Sequence, residues 1–271
     1  MSFNVRNFDL YNYKKNWELN FEKRNKIFDL LKQESPDIIC FQEFVYDKSG
    51  KFSTVDTLTK FLKANNCHAE YSSSSKSVNF FGSATFSSFP IVNKGLIRYN
   101  TNSGNLCIYT DVMIGGDTIR IYNVHLESIR LGPEDYKFAE NISNAKGINN
   151  KENIQQNSKR IVIRLKSAFI KRAPQAEQIA AHIQSCPYPI ILCGDFNDTP
   201  ASYAYRTISK GLTDCFVESG SGIGNTYDGI FPSFRIDYIF HSTQFTSYSF
   251  ETIHVDLSDH YPVKCLMKKG N

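Results

Sequence analysis

Apolar and polar positions along this chain alternate in two periods, and the switches between them divide it into elements. Over residues 20–34 the apolar positions Phe21, Ile27, Phe28, Leu30 and Leu31 recur at helical spacing, which predicts a surface helix running into Pro36. Asp37-Ile38-Ile39-Cys40-Phe41 predicts a buried strand that ends in Gln42-Glu43, and a second helix is predicted over 55–65. The serine run Ser72 to Ser75 reads as a loop. Strands follow over 78–86, 91–99, 105–114 and 117–126, joined by Pro90, by Thr101-Asn102-Ser103-Gly104 and by Gly115-Gly116-Asp117. Gly-Gly-Asp between two alternating runs is a hairpin signal, so an antiparallel meander is expected here.

Over 127–159 the pattern dissolves into polar sequence rich in Asn and Lys. Loops of this length are functional or disordered, and both a substrate-facing insertion and a plain surface excursion fit. A helix is predicted over 160–185, with Ile161, Leu165, Ala168, Phe169, Ala176, Ile179, Ala180 and Ile183 as its apolar stripe and Pro174 expected to interrupt or kink it. Pro189-Ile190-Ile191-Leu192-Cys193 is a second buried strand, ending in Gly194-Asp195-Phe196-Asn197. A short helix over 201–209 and strands over 236–240, 246–254 and 261–267 complete a mixed α and β chain. No repeat or linker separates two halves, so residues 1–271 are read as one domain.

Polar groups recur at the ends of these apolar strands. Asn4 stands in the first strand, Glu43 follows Ile38 to Phe41, and Asn123 and His125 close the run from Ile119. Asp195 and Asn197 follow Ile190 to Cys193, Asp237 opens a late strand, and Asp259-His260 precedes the last. Singly, each has an ordinary reading: a solvated strand end for Glu43, a turn residue for Asp195, a cap for Asp259, a satisfied core histidine for His125. Together they point to one shared site, because ionisable groups at a core edge are costly unless paired or metal-bound. A lone Asp or Glu followed by scattered ligands of Asn, Asp and His type suits Mg²⁺ or Mn²⁺ rather than a tetrahedral zinc site built from Cys and His.

Composition narrows the classes further. The net charge of +4 permits an anionic substrate but falls short of a protein that lives on a nucleic-acid backbone. Seven singly placed cysteines with no CxxC pair disfavour a zinc cluster and a full disulfide framework, leaving reduced thiols as the expectation. No run approaches the roughly 20 apolar residues of a membrane span.

The residues that carry chemistry also carry a resemblance. Asn4 in Ser-Phe-Asn-Val, Pro36-Asp37-Ile38-Ile39-Cys40-Phe41-Gln42-Glu43, Asn123-Val124-His125-Leu126, Gly194-Asp195-Phe196-Asn197, Arg235-Ile236-Asp237-Tyr238-Ile239 and Ser258-Asp259-His260-Tyr261-Pro262-Val263 resemble the ordered motif set of the endonuclease/exonuclease/phosphatase superfamily. Gly82-Ser83-Ala84 with Ser87 and Pro90 is similar to a further family segment. The resemblance runs from first strand to last. It implies an α+β fold, a four-layer α/β/β/α sandwich of two mixed, largely antiparallel sheets of DNase I-like type. It implies a Mg²⁺ or Mn²⁺ cofactor with Glu43 as principal ligand, Asn4 beside it as a ligand or a water-mediated contact, and Asp259 at a position that approaches a second metal or orients the water. By the same carry-over Asp195 orients or deprotonates the attacking water, Asn197 positions it or the phosphate, His260 contacts the scissile phosphate with Asp237 fixing its tautomer, His125 donates to a phosphate oxygen, and Asn123 lies near the phosphate.

The activity so implied is metal-dependent phosphodiester hydrolysis, with nucleic acid as the first expectation for a substrate. A lipid or small phosphoester is the alternative, and a silent binding module the remote one. Arg6 stands where abasic-site enzymes carry Asp, and they lack the Asn-x-His-Leu motif, which argues against base-excision repair. Arg130, Lys137, Lys159, Arg160 and Arg172 read either as a path for a polyanion or as a solvated face. A monomer is expected. The chain enters its first strand at once, and its Asn-Val-Arg start is similar to a bacterial group whose catalytic domain often follows membrane spans. An anchored parent protein is therefore one expectation, and localisation stays open.

Overall fold

The first sheet grows from β1 (Ser2–Asn4) and β2 (Ile38–Asp47), which pair in parallel with Phe3 opposite Phe41 in this computed structural model, where residues 1–62, 66–99, 104–135, 137–138, 151–229 and 234–270 are described. With β3 (Asn66–Ser75), β4 (Asn79–Ser87), β11 (Phe245–Thr252) and β12 (Val263–Lys269) its order is β11-β12-β1-β2-β4-β3, and all added pairs are antiparallel. The second sheet grows in the same way from the parallel pair β7 (Asp117–His125) and β8 (Ile190–Asp195). With β5 (Ile91–Arg98), β6 (Leu106–Ile114), β9 (Thr213–Asp214) and β10 (Asp237–His241) its order is β5-β6-β7-β8-β10-β9. The β5-β6-β7 meander is antiparallel, and its second turn is the two-residue loop Gly115-Gly116 with φ of 59° and 92°, which glycine adopts without steric cost.

Three apolar cores separate four layers. Helix α1 (Glu22–Glu34) and α2 (Val55–Phe61) send Ile27, Phe28, Leu31 and Leu58 onto Phe3, Val5, Ile39, Phe41, Phe44 and Phe86 of the first sheet. Cys40 and Val263 meet Val112, Ile119, Ile121, Cys193 and Ile239 between the sheets. Helix α3 (Lys151–Gln184) and α4 (Tyr203–Ile208) cover Tyr122, Val124, Leu192, Tyr238 and Phe240 on the outer face of the second sheet. Each fully buried Phe contributes about 1.5–3 kcal/mol. A short helix, α5 (Cys215–Ser219), sits beside β11 and β10. This is the expected α/β/β/α sandwich of two mixed sheets.

Strand parity places the polar residues. Phe3 and Val5 face the helix-side core, so Ser2 and Asn4 face the seam between the sheets. By the same alternation Tyr122 and Val124 face outward and Asn123 and His125 face the seam; Leu192 faces outward, Cys193 and Asp195 inward; Tyr238 outward, Asp237 and Ile239 inward. The strand-end groups therefore come from both sheets to one edge of a single seam.

Several expectations change. Ser72 to Ser75 are not a loop but the end of β3, with Ser73, Ser74 and Ser75 opposite Phe81, Phe80 and Asn79. An edge strand takes its hydrogen bonds from the backbone and keeps polar side chains in solvent, so a serine run suffices. Strand β2 does not end at Glu43 but continues to Asp47 beyond a bulge. Helix α3 begins at Lys151, so the polar 127–159 stretch is helical from there; residues 136 and 139–150 of that expectation lie outside the described residues. Helix α3 also runs unbroken through Pro174. The carbonyl deprived of its donor belongs to Ile170, on an exposed face of the helix. Helix α2 stops at Phe61, and the expected end at Asn65 lies outside the described residues. Among the described residues no helix is long and apolar enough to cross a membrane.

Candidate active site

Glu43 owes its position to the bulge in β2. Phe41 pairs with Ala84 and Phe44 with Gly82, so Gln42 and Glu43 together oppose Ser83. Simple alternation would drive position 43 into the helix-side core after Ile39 and Phe41; instead Glu43 takes φ 48° and Phe44 fills the core place. A non-glycine residue in that conformation is strained, and strain of this kind collects where a side chain must be aimed. On the partner strand only glycine fits: a Cβ on Gly82 would lie 1.9 Å from the Glu70 carbonyl oxygen. Burial pushes the Glu43 carboxyl above its ordinary range and Asp259 adds to this, while His260 pulls the other way.

Asp195 is the hub. It is fully buried and sits between His125 on β7 and Asp237 on β10, its register partners on either side. Its Oδ2 accepts from Asn4 Nδ2 at 3.0 Å and from Asn197 Nδ2 at 3.2 Å, and its Oδ1 from the Asn197 backbone N–H at 2.7 Å. Its Oδ2 lies 3.6 Å from His125 Nε2 and 3.8 Å from His260 Nε2. Burial raises its carboxyl above the usual range, a shift that the facing His260 opposes and Asp237 reinforces. The strand can close here because of Gly194, where a Cβ would meet the Val124 carbonyl oxygen at 2.0 Å. Asn197 turns the chain with φ 52°, a conformation asparagine tolerates, and also donates to the Leu126 carbonyl at 3.0 Å.

His260 and Asp237 form a buried pair with Nδ1 and Oδ2 2.9 Å apart. Burial disfavours the imidazolium, but the carboxylates of Asp237 and Asp195 outweigh it and hold the histidine up to about 10. Thr226 Oγ1 accepts from the Asp237 N–H at 3.0 Å, and the Tyr227 ring meets His260 edge-on at 5.3 Å. His125 is pushed down by burial, with Asp195 opposing, and its Nε2 finds no hydrogen-bond partner. It is a neutral imidazole with an unpaired nitrogen beside a carboxylate.

Asn4, Glu43, His125, Asp195, Asn197, Asp237, Asp259 and His260 are thus brought to one seam edge, with Asp259 Oδ2 3.7 Å from Arg6 Nε and Ser258 Oγ donating to the Asn4 carbonyl at 2.8 Å. Asn4 Oδ1 accepts from the Arg6 N–H at 3.1 Å, so this amide bridges two neighbours. Asn123 is not brought to the open side. It is fully buried, takes a bond from Gln42 Nε2 at 2.8 Å, and donates to the carbonyls of Phe41 and Ala84 at 3.1 Å each, which makes it a strut between the sheets.

The basic residues behave differently from an open track. Arg130 lies 3.2 Å from Glu127, and Arg160 lies 2.6 Å from Asp135 and 2.8 Å from Glu134, while Lys137 and Lys159 are exposed. Arg172 is buried, 3.0 Å from Asp198, and donates to the carbonyls of Asn197 at 2.6 Å and Glu127 at 3.1 Å. It pins the Asn197 turn from behind. A cation in line with Ala168, Ala176 and Ile179 on the apolar stripe was the sequence signal for such a buried ion pair; Thr226 and Tyr227 lie in unpatterned sequence and gave none.

Two sets of groups invite a cation. Asp195, Asp237 and His260 offer atoms within 4.8 Å of one another, but a charged His260 has no free lone pair and is held by carboxylates. Glu43, whose charge is disfavoured by burial and by Asp259, fits a hard divalent ion better, since an ion there relieves both.

No curated protein sequence matches the chain. Among solved structures it is similar to a functionally unknown conserved protein from Enterococcus faecalis V583, at 14% identity and TM-score 0.68 over 99% of this chain and 98% of that one. It is similar to D. rerio TDP2 complexed with single strand DNA product, at 16% identity and TM-score 0.65 over 99% and 97%. It is similar to a Bacteroides thetaiotaomicron VPI-5482 mannosyl-6-phosphatase, at 17% identity and TM-score 0.62 over 98% and 98%. At such identities the likeness is one of fold. The sequence itself matches the Endonuclease/Exonuclease/phosphatase family over residues 1–260, which takes in every strand-end group of the seam. By that match the chain belongs to this family of phosphoester hydrolases.

Proposed function

We propose that the chain is a divalent-metal-dependent phosphodiesterase whose substrate is a nucleic acid or a piece of one. The observation that carries this reading is the convergence of Glu43, His125, Asp195, Asn197 and the His260–Asp237 pair at one seam edge. When bound at Glu43, with Asp259 and Asn4 beside it, Mg²⁺ or Mn²⁺ supplies charge neutralisation for the phosphate oxygens and the leaving oxygen.

The chain's own groups do the rest. The His260 imidazolium presents Nε2–H to a non-bridging phosphate oxygen while Asp237 holds the Nδ1 proton, so positive charge is already in place where negative charge develops. Asp195, fixed by three hydrogen bonds, accepts a proton from the attacking water; its raised carboxyl makes it a stronger base than a solvated aspartate. Asn197, locked by Leu126 and Arg172, limits where that water can sit. The unpaired His125 Nε2 is a donor or acceptor for a second phosphate oxygen.

Fold likeness leaves the substrate open, since one neighbour is described with a DNA product and another as a sugar phosphatase. The test is a substrate panel in Mg²⁺: a phosphodiester and a phosphomonoester chromogen, single-stranded RNA, single- and double-stranded DNA, a phosphoinositide and sphingomyelin, with Glu43→Ala as control. Cleavage of the diester and of a nucleic acid, lost in the variant, is expected; cleavage of the monoester alone overturns the diesterase reading.

A further inference from the structure

A cleft of about 300 Å³ opens between the catalytic edge and two aromatic rings. Glu43 and His125 of the catalytic edge line it together with Tyr11, Phe81, Asn7 and Ser72. The two rings have centroids 6.1 Å apart and planes inclined by 30°, and Tyr11 is 55% exposed. An aromatic ring standing open to a cleft gains little from folding, and its apolar face is available to another ring.

Tyr11 is also held where it is. Arg6, Asn7, Phe8 and Asp9 all have positive φ, between 44° and 57°, a left-handed turn starting after Val5 that costs on the order of 1–2 kcal/mol per residue. Phe8 offsets that cost: it is fully buried, with its ring 5.5 Å from Phe44, 5.9 Å from Phe28 and 6.2 Å from Phe41. The turn is thereby tied to the core that carries Glu43, and it delivers Asn7 and Tyr11 to the cleft. Beside Tyr11, Phe81 precedes Gly82, whose close contact with β3 fixes the local backbone.

We propose that Tyr11 and Phe81 form a stacking platform for one nucleobase of the substrate, next to the phosphate that the seam edge holds. This rests on reading the seam edge as a phosphoester site. The volume lies at the low end of small-ligand sites, room for one phosphate and one ring-bearing substituent. Asn7 and Ser72, which also line the cleft, carry an amide and a hydroxyl, groups whose chemistry suits the polar edge of a base. Base stacking on an aromatic side chain tolerates any base, so the platform selects nucleotides over other phosphoesters without reading sequence.

The test is equilibrium binding, which needs no turnover. Adenosine 5′-phosphonate, with a methylene in place of the ester oxygen, and the matching ribose 5-phosphonate are titrated by calorimetry in Mg²⁺ into the wild type, Tyr11→Ala, Tyr11→Phe and Phe81→Leu. The wild type is expected to bind the adenosine compound at least about tenfold more tightly than the ribose compound. Tyr11→Ala brings that ratio near one, Phe81→Leu lowers it, and Tyr11→Phe keeps it. Equal affinities in the wild type, no binding of either compound, or a ratio that survives Tyr11→Ala overturns the platform. A Tyr11-dependent ratio in a protein that cleaves no phosphoester leaves the platform standing and removes the hydrolase reading; cleavage without base preference does the reverse.

Discussion

Asn123 separates a strut from a ligand, because the two roles predict opposite results for one substitution. Its amide joins the sheets through three well-formed bonds: Gln42 Nε2 to its Oδ1 at 2.8 Å, and its Nδ2 to the Phe41 and Ala84 carbonyls at 3.1 Å. At about 1 kcal/mol net for each bond, Asn123→Ala loses about 3 kcal/mol. The carbonyls and the Gln42 amide left short of partners in a fully buried place raise the total to about 3–5 kcal/mol. That is a large part of the roughly 5–15 kcal/mol that holds a domain together. Asn123→Asp is the cleaner variant, since it keeps the volume and replaces a donor with an oxygen facing two carbonyls; its loss should equal or exceed that of the alanine variant. Urea unfolding followed by circular dichroism reads the change in stability, and KM measured on the folded fraction reads any phosphate contact. A stability loss below about 1 kcal/mol together with a tenfold rise in KM would refute the strut and restore Asn123 to the phosphate.

Three further outcomes follow from the same geometry. The alkaline limb of the rate profile should fall as pH rises through about 10, where His260 loses its proton, and Asp237→Asn should move that limb down; a proton NMR titration of His260 checks the assignment, and an unmoved limb counts against it. Because the folded value lies above the ordinary histidine value, His260 also contributes stability that is complete at acid pH and lost toward pH 10. Arg172→Met should destabilise by about 3–5 kcal/mol, since it leaves Asp198 buried without its partner, and should lower kcat through the loosened Asn197 turn; thermal unfolding and steady-state kinetics read the two effects. Gly82→Ala should disrupt β3 against β4, because the added carbon meets backbone and not a movable side chain; unchanged thermal stability would contradict the close approach.

Most of the seam edge was legible in the sequence because a strand's period is two. Apolar Phe3 and Val5 around Asn4, or Tyr122 and Val124 around Asn123, already say that the polar residue points the other way. Glu43 was legible as a strand-end acid but not as a bulge residue, because a one-residue slip in β2 appears only when β4 is laid against it. The serine strand escaped for the opposite reason: an edge strand is stabilised by backbone pairing that leaves no apolar pattern. Pro174 breaks a local rule inside a helix that continues across it, with Ile170, whose carbonyl loses its donor, on an exposed face. Asn123 shows how far a motif reaches: its place in Asn-Val-His-Leu marked it as near the phosphate, whereas its bonds run across the interior.

The most direct measurement of the central claim is the initial rate of phosphodiester cleavage by the wild type and by Asp195→Asn, each with Mg²⁺ and with the metal chelated. Asparagine keeps the size of the hub but cannot accept the proton of the attacking water. The wild type should turn over only with metal, and Asp195→Asn should lose at least about two to four orders of magnitude while still folding. Turnover by Asp195→Asn at the wild-type rate, or undiminished turnover by the wild type without metal, would contradict the site as described.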